Sequence, residues 1–310
     1  MWFKQILLFQ LSEKIAYSPE TVVNQLESLA FTPCLPSLPS CAGWVPPLPD
    51  DEHAPLVMAG NGNILLCLQI EEKILPGMVV RQALDEKIKM IQTRDDRKIR
   101  SKEKLSLKDE IIMTLLPRAF SKLTRVYAYI DTKNNLLVLG TANTGKAEQF
   151  LAHFKRSVSE GVKPYEINKP GPVLTHWLKN KSNPVEFSIE KSCTLQDPQQ
   201  QNRIVRCQQQ DLFTSGIQTI LKEGCEVKQL ALCWHDRINF TLADDFSIRG
   251  IQYQEEIIAA ANDIDSETKQ QQFGADFFIM TETLSGLFED LMKVFAKEGA
   301  EATEEEATAA

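Results

Sequence analysis

An α+β fold is predicted for this 310-residue chain by three features of its sequence. Strand-like runs bounded by turn residues recur along it, amphipathic helical stretches are inserted among them without strict alternation, and one helical stretch carries charge opposite to the remainder. The expected arrangement is a central β-sheet region with flanking helices (1–76 with 119–168), a projecting helical-hairpin tip (77–118), and a second β-rich base part with a C-terminal helix (169–298). A disordered acidic tail (299–310) follows.

The apolar run Trp2 to Leu11 suits a strand buried on both faces. Ser18-Pro19 supplies an N-cap and a proline at the first helical position, and Val22, Val23, Leu26 and Leu29 then form one stripe. From Thr32 to Pro55, seven prolines demand an irregular connection, pinned by Trp44 and Val45. Gly60-Asn61-Gly62 is a hairpin turn between short strands at 55–59 and 63–70. After Pro76 the period becomes helical, with Val80, Leu84, Ile88 and Ile91 on one face. A second helix is expected to start near Ser106, capped toward Asp109, and to run through Leu107, Ile111, Leu115 and Leu116 until Pro117 stops it. The two helices would form a hairpin joined by a basic linker, each about 15 to 20 Å long at 1.5 Å per residue.

Strands follow at 125–130 and 135–139, then a helix over 146–158 and a boundary near 159–172, where Gly161, Pro164, Pro170, Gly171 and Pro172 cluster. The second part is expected to hold strands at 187–190, 204–209, 229–234, 237–243 and 247–253. A last helix over 282–297 places Leu284, Leu287, Phe288, Leu291 and Phe295 on one face. The hairpins 125–139 and 229–243 are similar in length and turn, which fits either two related halves or two ordinary hairpins.

The charge is segregated. Arg81 to Arg125 holds 13 Lys and Arg against 7 Asp and Glu, whereas the chain as a whole is −8. Arg94, Arg97, Lys98, Arg100, Lys102 and Lys104 fall within eleven residues, relieved only by Asp95, Asp96 and Glu103. Such a cluster is either a solvated helix face or a site for a phosphate-rich partner, since polyanions respond to local potential rather than net charge. The end of the second helix has two readings as well: Phe120 packs in the core below it, or faces a groove beside Arg118.

Other functions are disfavoured. No apolar run approaches the roughly 20 residues of a membrane span, and the N-terminus reads as a strand rather than a signal peptide, so a cytoplasmic address is expected. Seven scattered cysteines without a C-x-x-C pair suggest reduced thiols. Four scattered histidines give no metal-ligand spacing, so neither metal nor cofactor is expected. Gly140 to Lys146 matches the spacing of a phosphate-binding loop, but Ala147 lacks the hydroxyl that holds Mg²⁺. Asp244-Asp245 and Asp263-Ile264-Asp265 are acidic pairs with no companion catalytic pattern.

Several blocks carry a resemblance: Ala30-Phe31-Thr32-Pro33-Cys34, Gly43-Trp44-Val45-Pro46-Pro47, Glu71-Glu72-Lys73-Ile74-Leu75-Pro76, Ser106 to Glu110, Leu115 to Ser121, and Ala275-Asp276-Phe277. In this order the chain resembles the RdgC family of bacterial recombination-associated proteins over nearly its whole length. The resemblance implies a non-enzymatic, nucleoid-associated protein that binds double-stranded DNA with little sequence preference. It also implies a ring-shaped homodimer that restrains the RecA recombinase. Pro76, Arg118 and Phe120 are carried over as DNA-facing positions, and Gln210 in the matching block Gln210-Asp211-Leu212 joins them. Gln208, Gln209 and Cys225 stand where the resemblance leads one to expect basic residues, which implies weaker charge in the second half. The other reading is a regulator that uses the basic tip as an interface to a protein partner.

Overall fold

The computed structural model describes residues 1–11, 18–48, 54–158, 161–165, 167–200, 202–264 and 266–296. The expected acidic tail and Lys297, at the end of the expected last helix, lie outside them. Among the described residues the fold is α+β, with eight α-helices and a large sheet whose strands pair antiparallel.

The first strand, β1 (Gln5–Leu11), is central in that sheet and pairs with strands of both halves of the chain. Ile6 and Leu8 point into one core cluster, while Leu7, Phe9 and Leu11 pack into the other, so the strand is covered on both faces as its composition requires. Helix α1 (Pro19–Glu27) is capped by Ser18, whose hydroxyl accepts from the Thr21 amide, and buries Val22 and Leu26.

The proline-rich connection contains an unexpected strand, β2 (Ser40–Trp44), at one end of the sheet path. Trp44 anchors it, with its indole N–H donating to Ser157 Oγ at 2.8 Å and its ring standing edge-on to Phe150. Strands β3 (Val57–Gly60) and β4 (Asn63–Ile74) close through Asn61 and Gly62, both at positive φ as a two-residue hairpin turn demands. β4 is longer than expected. Its register with β5 (Phe120–Asp131) is unbroken from Asn63↔Asp131 to Ile74↔Phe120.

Between them lie α2 (Gly77–Asp95) and α3 (Ser101–Leu115). The two helices pack on each other, burying Val80, Leu107 and Ile111. At 1.5 Å per residue they are about 28 and 22 Å long, longer than the sequence suggested. Ser106 does not cap α3. The helix starts five residues earlier, after Arg100, and Ser106 lies inside it.

The path continues through β6 (Leu136–Leu139), helix α4 (Thr144–Val158) and the short β7 (Val162–Pro164), which pairs with β1. Helix α5 (Pro170–Asn180) starts at the end of the stretch 159–172 expected as a boundary. Then come β8 (Phe187–Gln196), β9 (Ile204–Cys207), α6 (Ser215–Lys222), β10 (Glu226–Trp234), β11 (Ile238–Ala243), β12 (Ile248–Tyr253), α7 (Glu255–Asn262) and α8 (Lys269–Phe295). α8 begins thirteen residues before the expected start, and Thr268 and Gln271 close a capping box there.

The strand order is β2-β4-β5-β6-β1-β12-β11-β10-β8-β9. The hairpins β5–β6 and β10–β11 therefore take corresponding places on either side of the β1–β12 pair. Helices α1 and α4 cover one core cluster. The other, under α5, α6 and α8, gathers residues of both halves: Leu65, Tyr129 and Val138 beside Leu230, Phe240, Phe277 and Leu284.

Candidate nucleic-acid interface

The positions singled out in the sequence fall into three places. Pro76, Arg118 and Phe120 gather where the β4–β5 ribbon meets the helical hairpin. Pro76 is exposed in an extended conformation at the N-cap of α2. On the return, α3 gives way to a single 3-10 turn over Leu116–Arg118, because Pro117 cannot continue the α-helical ladder. β5 starts at Phe120. Its ring is 84% exposed, opposite Ile74, itself half exposed, so Phe120 is not a core residue.

The second place is the far end of the hairpin, where Asp96 to Arg100 link the two helices. Arg94 and Arg97 are not free cations there. Arg94 Nε donates to Asp95 Oδ1 at 2.7 Å, and the Arg97 guanidinium forks onto Glu103 at 2.8 and 2.6 Å. That hydrogen-bonded guanidinium holds the Glu103 carboxyl below its ordinary pKa, and Arg94 does the same to Asp95. The side chains of Lys98, Arg100, Lys102 and Lys104 are exposed and have no hydrogen bond or ion pair among the described residues. At this end of the hairpin the available positive charge is therefore concentrated on these four.

Gln210 forms the third place, exposed in the loop after β9, with its backbone N–H donating to Lys191 O. In the strand order β4 and β9 are eight places apart, so Gln210 lies toward the opposite end of the sheet path from the hairpin foot. Its neighbours Gln208 and Gln209 line a polar cavity of about 550 Å³ together with Thr194, Gln196, Arg206 and Gln229. Arg206 is a cation the sequence reading passed over, since a single Arg beside three glutamines makes no charge run. Cys225 is 1% exposed in the core.

Other chemistry finds little support in the geometry. In the Gly140 to Lys146 loop, Asn143 Oδ1 accepts the Lys146 amide and occupies the helix N-terminus that a phosphate would use. Gly140 is needed because a Cβ there would lie 2.9 Å from the Phe3 ring. Asp244 pairs with Lys228, and Asp245 with Ser247 and Arg249. Asp265 lies outside the described residues. Among those described, no three His, Cys, Asp or Glu side chains are grouped closely enough to hold a metal ion, and no helix is long and apolar enough to cross a membrane.

Comparison with known proteins gives one answer. Residues 1–298 match the family described as "Putative exonuclease, RdgC". Proteins named "Recombination-associated protein RdgC" are similar over almost their entire length. The one from Edwardsiella ictaluri is 38% identical over 97% of this chain and 100% of its own, and that from Halorhodospira halophila 35% identical over 97% and 99%. The Yersinia pestis protein is 35% identical over 96% of this chain and 99% of its own.

Proposed function

The chain belongs to the RdgC family, and from that premise we propose that it is a sequence-nonspecific clamp on double-stranded DNA that modulates homologous recombination by restraining RecA. The observation that carries this reading is the set of four unpaired cations, Lys98, Arg100, Lys102 and Lys104, at the end of a long helical hairpin in an otherwise acidic chain. Cations that meet phosphates release condensed counterions, which supplies affinity without reading sequence. Acidic surface elsewhere keeps the remainder of the protein off the same duplex. Arg118 and Phe120 at the hairpin foot add a cation and an exposed ring able to stack on, or wedge between, bases.

The working unit is a homodimer that closes as a ring around the duplex in the cytoplasm, associated with the nucleoid. Met78, Met90, Leu105 and Met113 support pairing between copies, since they leave apolar surface exposed along the charged hairpin. Ile111 is buried where the two helices pack on each other, so it does not add to that surface. The same exposed residues favour the second reading, a regulator that holds a protein partner by its tip.

The clamp acts by geometry and charge, without catalysis. Incubating the protein with unrelated duplexes and Mg²⁺ tests both parts: equal affinity for each sequence and intact DNA are expected. Progressive release of nucleotides that co-purifies with the protein would establish an exonuclease instead, and failure to bind any duplex would favour the protein-partner reading.

A further inference from the structure

We propose that Cys34 and Cys41 form a dithiol near the foot of the helical hairpin that a hydroperoxide closes to a disulfide. Cys34 precedes a short turn, Leu35 to Pro39, and Cys41 is the second residue of the terminal strand β2 that follows it; both are partly exposed. They converge on one carboxylate. The Cys34 backbone N–H donates to Glu71 Oε2 at 2.9 Å, and the Cys41 thiol lies 4.0 Å from the same oxygen. Each thiol also reaches a carbonyl nearby, Cys34 to Leu38 O at 3.6 Å and Cys41 to Thr32 O at 3.5 Å. With both residues anchored at Glu71 Oε2, the two side chains are brought to one place where the bond can form.

The surroundings set the order of events. Burial, then the neighbouring Cys34 and Glu71, push the Cys41 thiol up to about 12, so it stays protonated at neutral pH and takes the second step. The Cys34 sulfur attacks the outer peroxide oxygen, the O–O bond breaks, and the Cys34 proton leaves with the departing oxygen as an alcohol or water, giving a sulfenic acid. The Cys41 sulfur then attacks the Cys34 sulfur and expels hydroxide, which departs as water with the Cys41 proton. Two thiols have lost two electrons and two protons to the peroxide. Cys193 and Cys207 also face each other, across β8 and β9, and touch the polar cavity beside Gln208, but each is only 4% exposed, so less of either sulfur meets an oxidant than at Cys34 and Cys41.

The test is treatment of the full native chain with hydrogen peroxide at neutral pH, followed by alkylation and peptide mapping. The expected result is loss of two alkylatable thiols, restored by dithiothreitol, with one linked peptide joining Cys34 to Cys41. The linkage should disappear in Cys41→Ser, where dimedone should trap Cys34 as a sulfenic acid, and should persist in Cys193→Ser. Native wild-type protein in which Cys34 and Cys41 stay fully alkylatable after peroxide, or a linkage that joins Cys193 to Cys207 instead, overturns the proposal. Either result is independent of whether the chain binds DNA.

Discussion

Phe120 separates binding from folding in one side chain. Truncating a core phenylalanine costs about 3 to 5 kcal/mol of stability, whereas a ring that stacks on a base contributes about 1 to 3 kcal/mol to binding. With its ring 84% exposed, Phe120→Ala should leave the melting temperature almost unchanged while weakening duplex affinity about five- to hundredfold. A melting curve and a binding titration on the same variant check both halves of that statement. Sequence left Phe120 with two placements because a Phe beside an Arg has no period to assign it, and its exposure removes the core placement. The pairing of Arg97 with Glu103 was illegible for a related reason: charge counting cannot see an ion pair between residues six apart across a helix start. Glu71 makes a pH-dependent prediction. Hydrogen bonds from Ser121 and from the Cys34 amide hold its carboxyl below the ordinary 4.5. A depressed folded-state pKa contributes stability that is fully present above the unfolded value and is lost as pH falls through the folded one. Glu71→Gln should therefore flatten the decline in melting temperature just below pH 4.5, measured against wild type.

At the scale of elements, the helical hairpin carries the proposed function, and its cations are not equivalent. Reversing Lys98, Arg100, Lys102 and Lys104 to Glu should weaken binding to every duplex alike and reduce the salt slope by about 0.9 for each phosphate no longer neutralised. Arg97→Ala should do less, since its guanidinium is already engaged by Glu103. Affinity measured at several salt concentrations distinguishes the two variants. The hairpin itself was legible from the helical period after Pro76 and the stop at Pro117. Elements that were missed had their signals hidden. β2 lies inside a proline run and ends Ala-Gly-Trp, without alternation. α5 opens Pro170-Gly171-Pro172, which reads as a break although proline is compatible with a first helical turn. The glutamine-rich first turns of α8 masked its start, yet Thr268 and Gln271 spelled out a capping box that could have marked it.

For the whole molecule, one sheet runs through both halves by way of β1, and one core cluster holds residues of both. Acid–base segregation was readable from composition; the sheet order was not, because antiparallel pairing between β1 and β12 joins residues more than two hundred positions apart. Clamp action requires two copies, and the chain should show twice its 35.0 kDa mass by light scattering at micromolar concentration. Met90→Asp should shift that mass toward the monomer without unfolding the chain, since Met90 is exposed. The central claim, that charge holds this protein on duplex DNA irrespective of sequence, is tested most directly by the affinity for a random-sequence fluorescent duplex as a function of salt. The account predicts a linear fall of log K with log salt, with a slope of about −0.9 for each phosphate neutralised and the same line for an unrelated sequence. Absent binding at low salt, or an affinity indifferent to salt, would contradict it.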